Sequence, residues 1–142
     1  MRVLLVIAAV AIGTGLAGCE MLGDPKTLES DGPRCDFPGA ADRVHIEIRY
    51  GADGTPAAVP DECTVRPGTR ITWVGPERDA RPFALAFPGG SPAARGEGDD
   101  LTSDRIDERE KVVLVAGDIE RRYKYEIDAN GITVDPAIII NR

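Results

Sequence analysis

Few side chains in this chain can do chemistry. There is a single histidine, His45, with three cysteines, Cys19, Cys35 and Cys63, and two methionines, Met1 and Met21. A histidine acting as general base needs a nucleophile to activate and an acid to orient it. His45 sits in the run Val44-His45-Ile46-Glu47-Ile48-Arg49-Tyr50, and nothing local supplies that pair. It reads as a surface residue on the polar side of a strand. The acidic residues Glu97, Asp99, Asp100, Asp104, Asp107 and Glu108 would suit Ca²⁺, but they lack the spacing and turn glycine of an EF-hand and read as a solvated loop. Arg121-Arg122 before Tyr123 has the chemistry to stack or to hold an anion; two arginines opening a strand ordinarily face solvent. No glycine-rich phosphate loop precedes a helix. The expectation is a protein that is not an enzyme and carries no catalytic residue and no cofactor.

The elements that must position these residues begin with a leader. Met1-Arg2 supplies one positive charge, and Val3 to Ile12 is an unbroken apolar run. Gly13-Thr14-Gly15 interrupts helix formation, and small residues follow. The run is shorter than the ~20 residues a membrane-spanning helix requires. This is the layout of a secretory signal, residues 1–18. Leu16-Ala17-Gly18-Cys19 resembles the bacterial lipobox. The resemblance implies that the leader is cut before Cys19 and that Cys19 is acylated on sulfur and nitrogen. Several acyl chains exceed what stable anchoring needs, so the implied partner is a membrane, reached through the N-terminal lipid. By the same resemblance to lipoproteins, Glu20, where aspartate would imply inner-membrane retention, implies the outer membrane facing the periplasm in a Gram-negative cell. Residues 19–38 carry glycine, proline and acidic residues with few apolar ones, too few to offset the entropy of ordering. They read as a flexible tether.

With Cys19 assigned to lipid, Cys35 and Cys63 remain in an oxidising compartment, where disulfides persist. Only one pairing is then open to them. A bond closing the loop 35–63 contributes about 3.6 kcal/mol in the chain-entropy account. A redox or metal-binding thiol pair is the alternative, and the Cys-x-x-Cys spacing typical of such pairs is absent.

Residues 39–142 read as short strands separated by turns. Val44, Ile46, Ile48 and Tyr50 alternate with polar residues, the period of a half-buried strand. A short extended piece, 57–59, lies between Pro56 and Pro60. Ile71 and Trp73 share one face of a strand after Pro67-Gly68, and Phe83, Leu85 and Phe87 share another. Residues 91–110 are polar and glycine-rich, and read as a long surface excursion with at most one helical turn. A strand at 111–116 follows. Tyr123, Tyr125 and Ile127 alternate, Asn130-Gly131 signals a hairpin, and Ala137 to Ile140 is fully apolar, as in a strand buried on both faces. About seven strands and no amphipathic helix indicate an all-β sandwich or barrel. Glycine (16) and proline (11) make up about a fifth of the chain, well above the usual ~12 %. The immunoglobulin pin needs a tryptophan between paired cysteines, whereas Trp73 follows both.

The stretch Cys63-Thr64-Val65-Arg66-Pro67-Gly68-Thr69-Arg70-Ile71-Thr72-Trp73 resembles the strand, glycine turn and strand ending in tryptophan of cupredoxins. Tyr123-x-Tyr125, Gly131 and Asp135-Pro136 before the aliphatic strand look like the closing strands of cupredoxin-like envelope proteins. The resemblance implies a Greek-key cupredoxin-like β-sandwich. It does not carry the copper ligands over. A type-1 site takes two histidines, a cysteine and usually a methionine, and in copper-binding members most of these cluster in the loop joining the last two strands. The matching loop, 128–134, has none of them.

Lys plus Arg number 17 and Asp plus Glu 24, a net charge of −7. Phosphate backbones need a basic surface, so nucleic acid is excluded as a partner. The resulting expectation is a non-catalytic envelope lipoprotein acting as a binding or structural module, with an envelope protein as its partner. Residues 91–110 are the first contact surface to consider, since long loops on rigid sandwiches carry function. The alternative is a periplasmic metal-binding protein that uses His45 with carboxylates.

Overall fold

The computed structural model describes residues 31–35, 41–94 and 98–142. The leader, Cys19, Glu97 and most of the expected tether lie outside the described residues. Alternating apolar and polar residues give strands throughout: β1 (Arg43–Tyr50), β2 (Pro56–Val59), β3 (Glu62–Val65), β4 (Arg70–Val74), β5 (Ala84–Ala86), β6 (Asp100–Thr102), β7 (Asp104–Ile106), β8 (Arg109–Val115), β9 (Arg121–Lys124), β10 (Glu126–Ala129), β11 (Ile132–Val134) and β12 (Ala137–Ile140). The fold is an all-β sandwich, as the alternation predicts. Its strands are more numerous and shorter than expected, because single runs in the sequence are divided between sheets.

One sheet has five strands in the order β2-β1-β4-β8-β7, a second has four in the order β11-β10-β5-β6, and a third has three in the order β3-β12-β9. The chain leaves the five-stranded sheet after β2, contributes β3 to the three-stranded one, and returns as β4 parallel to β1. Strand β12 likewise lies parallel to β3. Parallel neighbours cannot be joined by a tight hairpin, so both pairings require crossovers between sheets.

All three sheets face one core. Ile46, Trp73 and Val112 lie side by side across β1, β4 and β8. From the facing side, Leu101, Leu85, Ile127 and Val134 form a row across β6, β5, β10 and β11. Between the rows, Trp73, Phe87 and Tyr125 meet with ring centroids 5.6 to 6.4 Å apart, the tryptophan edge-on to both partners. Strand β12 is central in its sheet, and Ala137, Ile138 and Ile140 are buried, so the apolar run at the C-terminal end is the core strand its composition indicates.

The alternation from Tyr123 to Ile127 does not make one strand. Tyr125 is the junction at which the chain passes from the three-stranded to the four-stranded sheet, and its backbone N–H donates to the Pro136 carbonyl at 3.0 Å. Beyond it, Asn130 (φ 55°) and Gly131 (φ 73°) form the two-residue hairpin that Asn-Gly favours.

Two segments correct the sequence reading. The described part of residues 91–110 is not an irregular excursion: it is largely exposed, as expected, but it holds β6, β7 and the first residues of β8, and Ser103 and Glu110 are buried. The Ser103 hydroxyl accepts from the Phe83 N–H at 3.0 Å and donates to Glu110 Oε2 at 2.8 Å. A satisfied polar pair replaces the apolar residues whose scarcity suggested a loop. The second correction concerns 31–35, assigned to the tether. The described part of that segment packs on the domain. The Pro33 carbonyl accepts from the His45 N–H, and the Cys35 N–H donates to the His45 carbonyl, both at 3.0 Å. Asp31 reaches Lys111 on β8 at 2.8 Å, and both side chains are buried. Gly32 has φ +84°, and a Cβ there would sit 2.2 Å from the Arg43 carbonyl oxygen, so only glycine fits. Cys35 is joined to Cys63 by a disulfide, with Cα atoms 5.6 Å apart.

Candidate functional site

A groove of about 260 Å³ lies where β2, the turn after it and the β11–β12 connection meet. Its floor is Pro56, Ala57, Ala58, Val134, Pro136 and Ala137, and its rim is Asp61, Glu62, Asp135 and Arg122. Small residues make it possible. Pro56 starts β2 and Pro60 follows it, keeping this edge strand four residues long. The Ala137 N–H donates to the Asp61 carbonyl at 2.9 Å, which draws the turn onto the start of β12.

The rim charges are arranged across a sheet. Glu62 on β3 and Lys124 on β9 both pair in register with Ala137 on the strand between them. Arg122, two residues before Lys124, reaches over β12 and donates to Glu62 Oε1. Ala137 is too short to obstruct it. That hydrogen bond and the guanidinium charge hold the Glu62 carboxyl below its ordinary range, although the side chain is at the surface. The Arg122 guanidinium is shifted up by the same bond, with Asp135 and Asp61 adding to it. Lys124 approaches Asp135 at 3.4 Å, both exposed.

Of the residues singled out from sequence, His45 is placed differently from the expectation, while Arg121, Arg122 and the described acidic residues of the 97–108 group are exposed, as expected. His45 is not exposed: it is 7 % accessible, and its Nδ1 lies 2.8 Å from the Gly32 carbonyl oxygen. The docked segment 31–35 covers what alternation alone marks as a polar outer face. The nearest carboxylate, Glu47, stands 4.0 Å from Nε2 and is itself held by Arg49 at 2.6 Å. Among the described residues no three His, Cys, Asp or Glu side chains converge as metal ligands. The described acidic residues of the 97–108 group also stay apart. Asp99 accepts from the Ser91 N–H at 3.0 Å, while Asp107 stands 3.8 Å from Lys111. Arg121 donates to the Gly89 carbonyl at 2.7 Å and lies over the Tyr123 ring at 4.4 Å, so its stacking capacity is spent inside the fold. The 128–134 stretch forms the β10–β11 hairpin.

Sequence reasoning did not single out Asp61 or Glu62, and it marked Asp135 only as part of the Asp-Pro motif before the last strand, not as a site residue. Each adjoins a proline turn, in Pro60-Asp61-Glu62 and Asp135-Pro136. Nothing in the sequence says that the two turns meet; the parallel pairing of β3 with β12 brings them together.

No family model matches the chain, and no curated protein matches it. Among solved structures it is similar to rusticyanin. A point variant of rusticyanin has 13 % identity and a TM-score of 0.39, covering 82 % of this chain and 91 % of that one. Reduced rusticyanin has 14 % identity and a TM-score of 0.37, covering 82 % and 93 %. At these values the likeness assigns neither an activity nor a ligand.

Proposed function

We propose that this protein is a non-catalytic binding module of the cell envelope: a copper-free, cupredoxin-like sandwich anchored through a lipid on Cys19, which uses the groove between β2 and the β11–β12 connection to hold an envelope protein. The observation that carries the reading is the composition of the groove. An apolar floor bounded by a few charges is the make-up of a recognition site. The ligand supply points away from electron transfer, since a solitary imidazole cannot furnish a type-1 copper set.

The test places a photo-crosslinking residue at Ala57, in the groove, or at Asp104, on the opposite edge of the five-stranded sheet, in the full chain in intact cells. A discrete adduct from position 57 and none from 104 supports the reading; equal adducts, or none from either, overturn it. For the anchor, fatty-acid labelling of wild type that disappears in Cys19→Ala is the expected result, and equal labelling of both removes it.

A further inference from the structure

The groove carries more than the capacity to bind. We propose that its occupant is a single lysine or arginine side chain on an extended segment of a partner protein, an inference that rests on the binding-module reading above. Three properties lead there. The first is size. A groove of about 260 Å³ has room for one long side chain.

The second is charge. Three carboxylates line the groove against one guanidinium. That guanidinium is engaged by Glu62, leaving Asp61 and Asp135 to dominate the rest of the rim. The Asp61 carboxylate has no hydrogen-bond or ion-pair partner among the described residues, and its interaction with Arg122 is through the field alone. Asp135 has only Lys124, at 3.4 Å between two exposed side chains, a kind of pair that contributes about 0–1 kcal/mol and exchanges readily. An incoming cation can therefore approach either carboxylate without breaking a strong contact.

The third is the order of surfaces. The proline and alanine floor suits the methylene stem of a long cationic side chain, with its charged head at the rim. The groove also lies at the seam where β2, the end strand of the five-stranded sheet, meets β11, the end strand of the four-stranded one. An extended segment can lie over that seam and lower one side chain into the groove.

The proposal is tested on the full chain in detergent, by following backbone amide signals during titration with a blocked pentapeptide carrying one lysine among alanines. Saturable shifts at Ala57, Ala58 and Ala137 are expected, about fivefold weaker binding in Asp61→Asn/Asp135→Asn, and none with norleucine or glutamate in place of lysine. Binding should also weaken as salt is raised. No saturable shift below about 10 mM overturns the proposal. Equal binding of the norleucine peptide would show an apolar slot only, and butylamine binding as tightly as the peptide would show a site for free amines; either result also overturns it. If the peptide fails while position 57 still gives a discrete adduct in cells, the basic occupant is wrong and the binding module stands.

Discussion

The Trp73 indole donates to the Tyr125 hydroxyl at 3.0 Å, across the core and 52 residues apart in the chain. The two rings meet edge-on at 77°. Both residues are fully buried, so each satisfies the other's polar group where water cannot. Tyr125→Phe leaves the indole N–H without an acceptor and is expected to lower stability by about 1–3 kcal/mol. Urea unfolding followed by the fluorescence of the sole tryptophan measures it, and an unchanged midpoint would show that the bond contributes nothing net.

The same tyrosine sets an alkaline limit. Burial raises the Tyr125 hydroxyl well above the ordinary 10.0, even though the bond from Trp73 pulls the other way. Burial also raises Tyr50, to a lesser degree, with Asp79 adding to it. A group whose folded pKa exceeds its unfolded one contributes fully below the unfolded value, and its contribution is lost as pH rises beyond it. Stability should therefore be flat with respect to Tyr125 up to about pH 10 and fall above it, by up to about 1.4 kcal/mol per pH unit. Tyr125→Phe should flatten that decline, and a decline of equal slope in wild type and variant argues for another group.

Asp31 and Lys111 are 3–7 % accessible at the side chain and 2.8 Å apart. Asp31→Ala leaves the buried ammonium only Asp107, exposed and 3.8 Å away, and is expected to cost up to about 3–5 kcal/mol. Replacing both by apolar residues of similar volume should recover most of that loss, because the desolvation of two charges disappears with their attraction. Chemical denaturation of the single and double variants decides it. A double variant as weak as the single would mean that the pair's shape, rather than its charge, is what the fold requires.

The β7–β8 turn gives a stabilising prediction. Asp107 (φ 49°) and Glu108 (φ 64°) both occupy left-handed backbone. Their places in this two-residue hairpin are ones that Asn-Gly or Asp-Gly fills without strain. Glu108→Gly should raise stability by about 1 kcal/mol, since a left-handed side chain costs roughly 1–2 kcal/mol and glycine returns part of that as entropy in the unfolded state. A lower thermal midpoint would show that Glu108 has a compensating role.

The disulfide between Cys35 and Cys63 should contribute about 3–4 kcal/mol. Cys35→Ala/Cys63→Ala is expected to lose that amount in guanidinium unfolding, and thiol titration of the unfolded wild type without reductant should find neither cysteine free. Titration of both would remove the bond.

How far the sequence could be read follows from the range of each interaction. Alternation marked β1 and β4, and an unbroken apolar run marked β12, because burial there depends on each strand's own residues. The Asn130-Gly131 hairpin was legible for the same local reason. The strands within 91–110 were missed because, beside Leu101, they are fastened by the Ser103–Glu110 hydrogen bond, a polar pair invisible to any count of apolar residues. His45 was misplaced because the segment that buries it arrives from outside the strand. The groove was not legible at all. It depends on the Pro60-Asp61 and Asp135-Pro136 turns meeting, and that follows from a parallel pairing between residues more than seventy positions apart.

The docked N-terminal segment also bears on how far the protein can reach. With Asp31 fixed against Lys111, the proposed lipid on Cys19 would stand no more than about 40 Å of chain from the sandwich. On that reading the sandwich would work within arm's length of the bilayer, and whatever it meets would have to come to that surface.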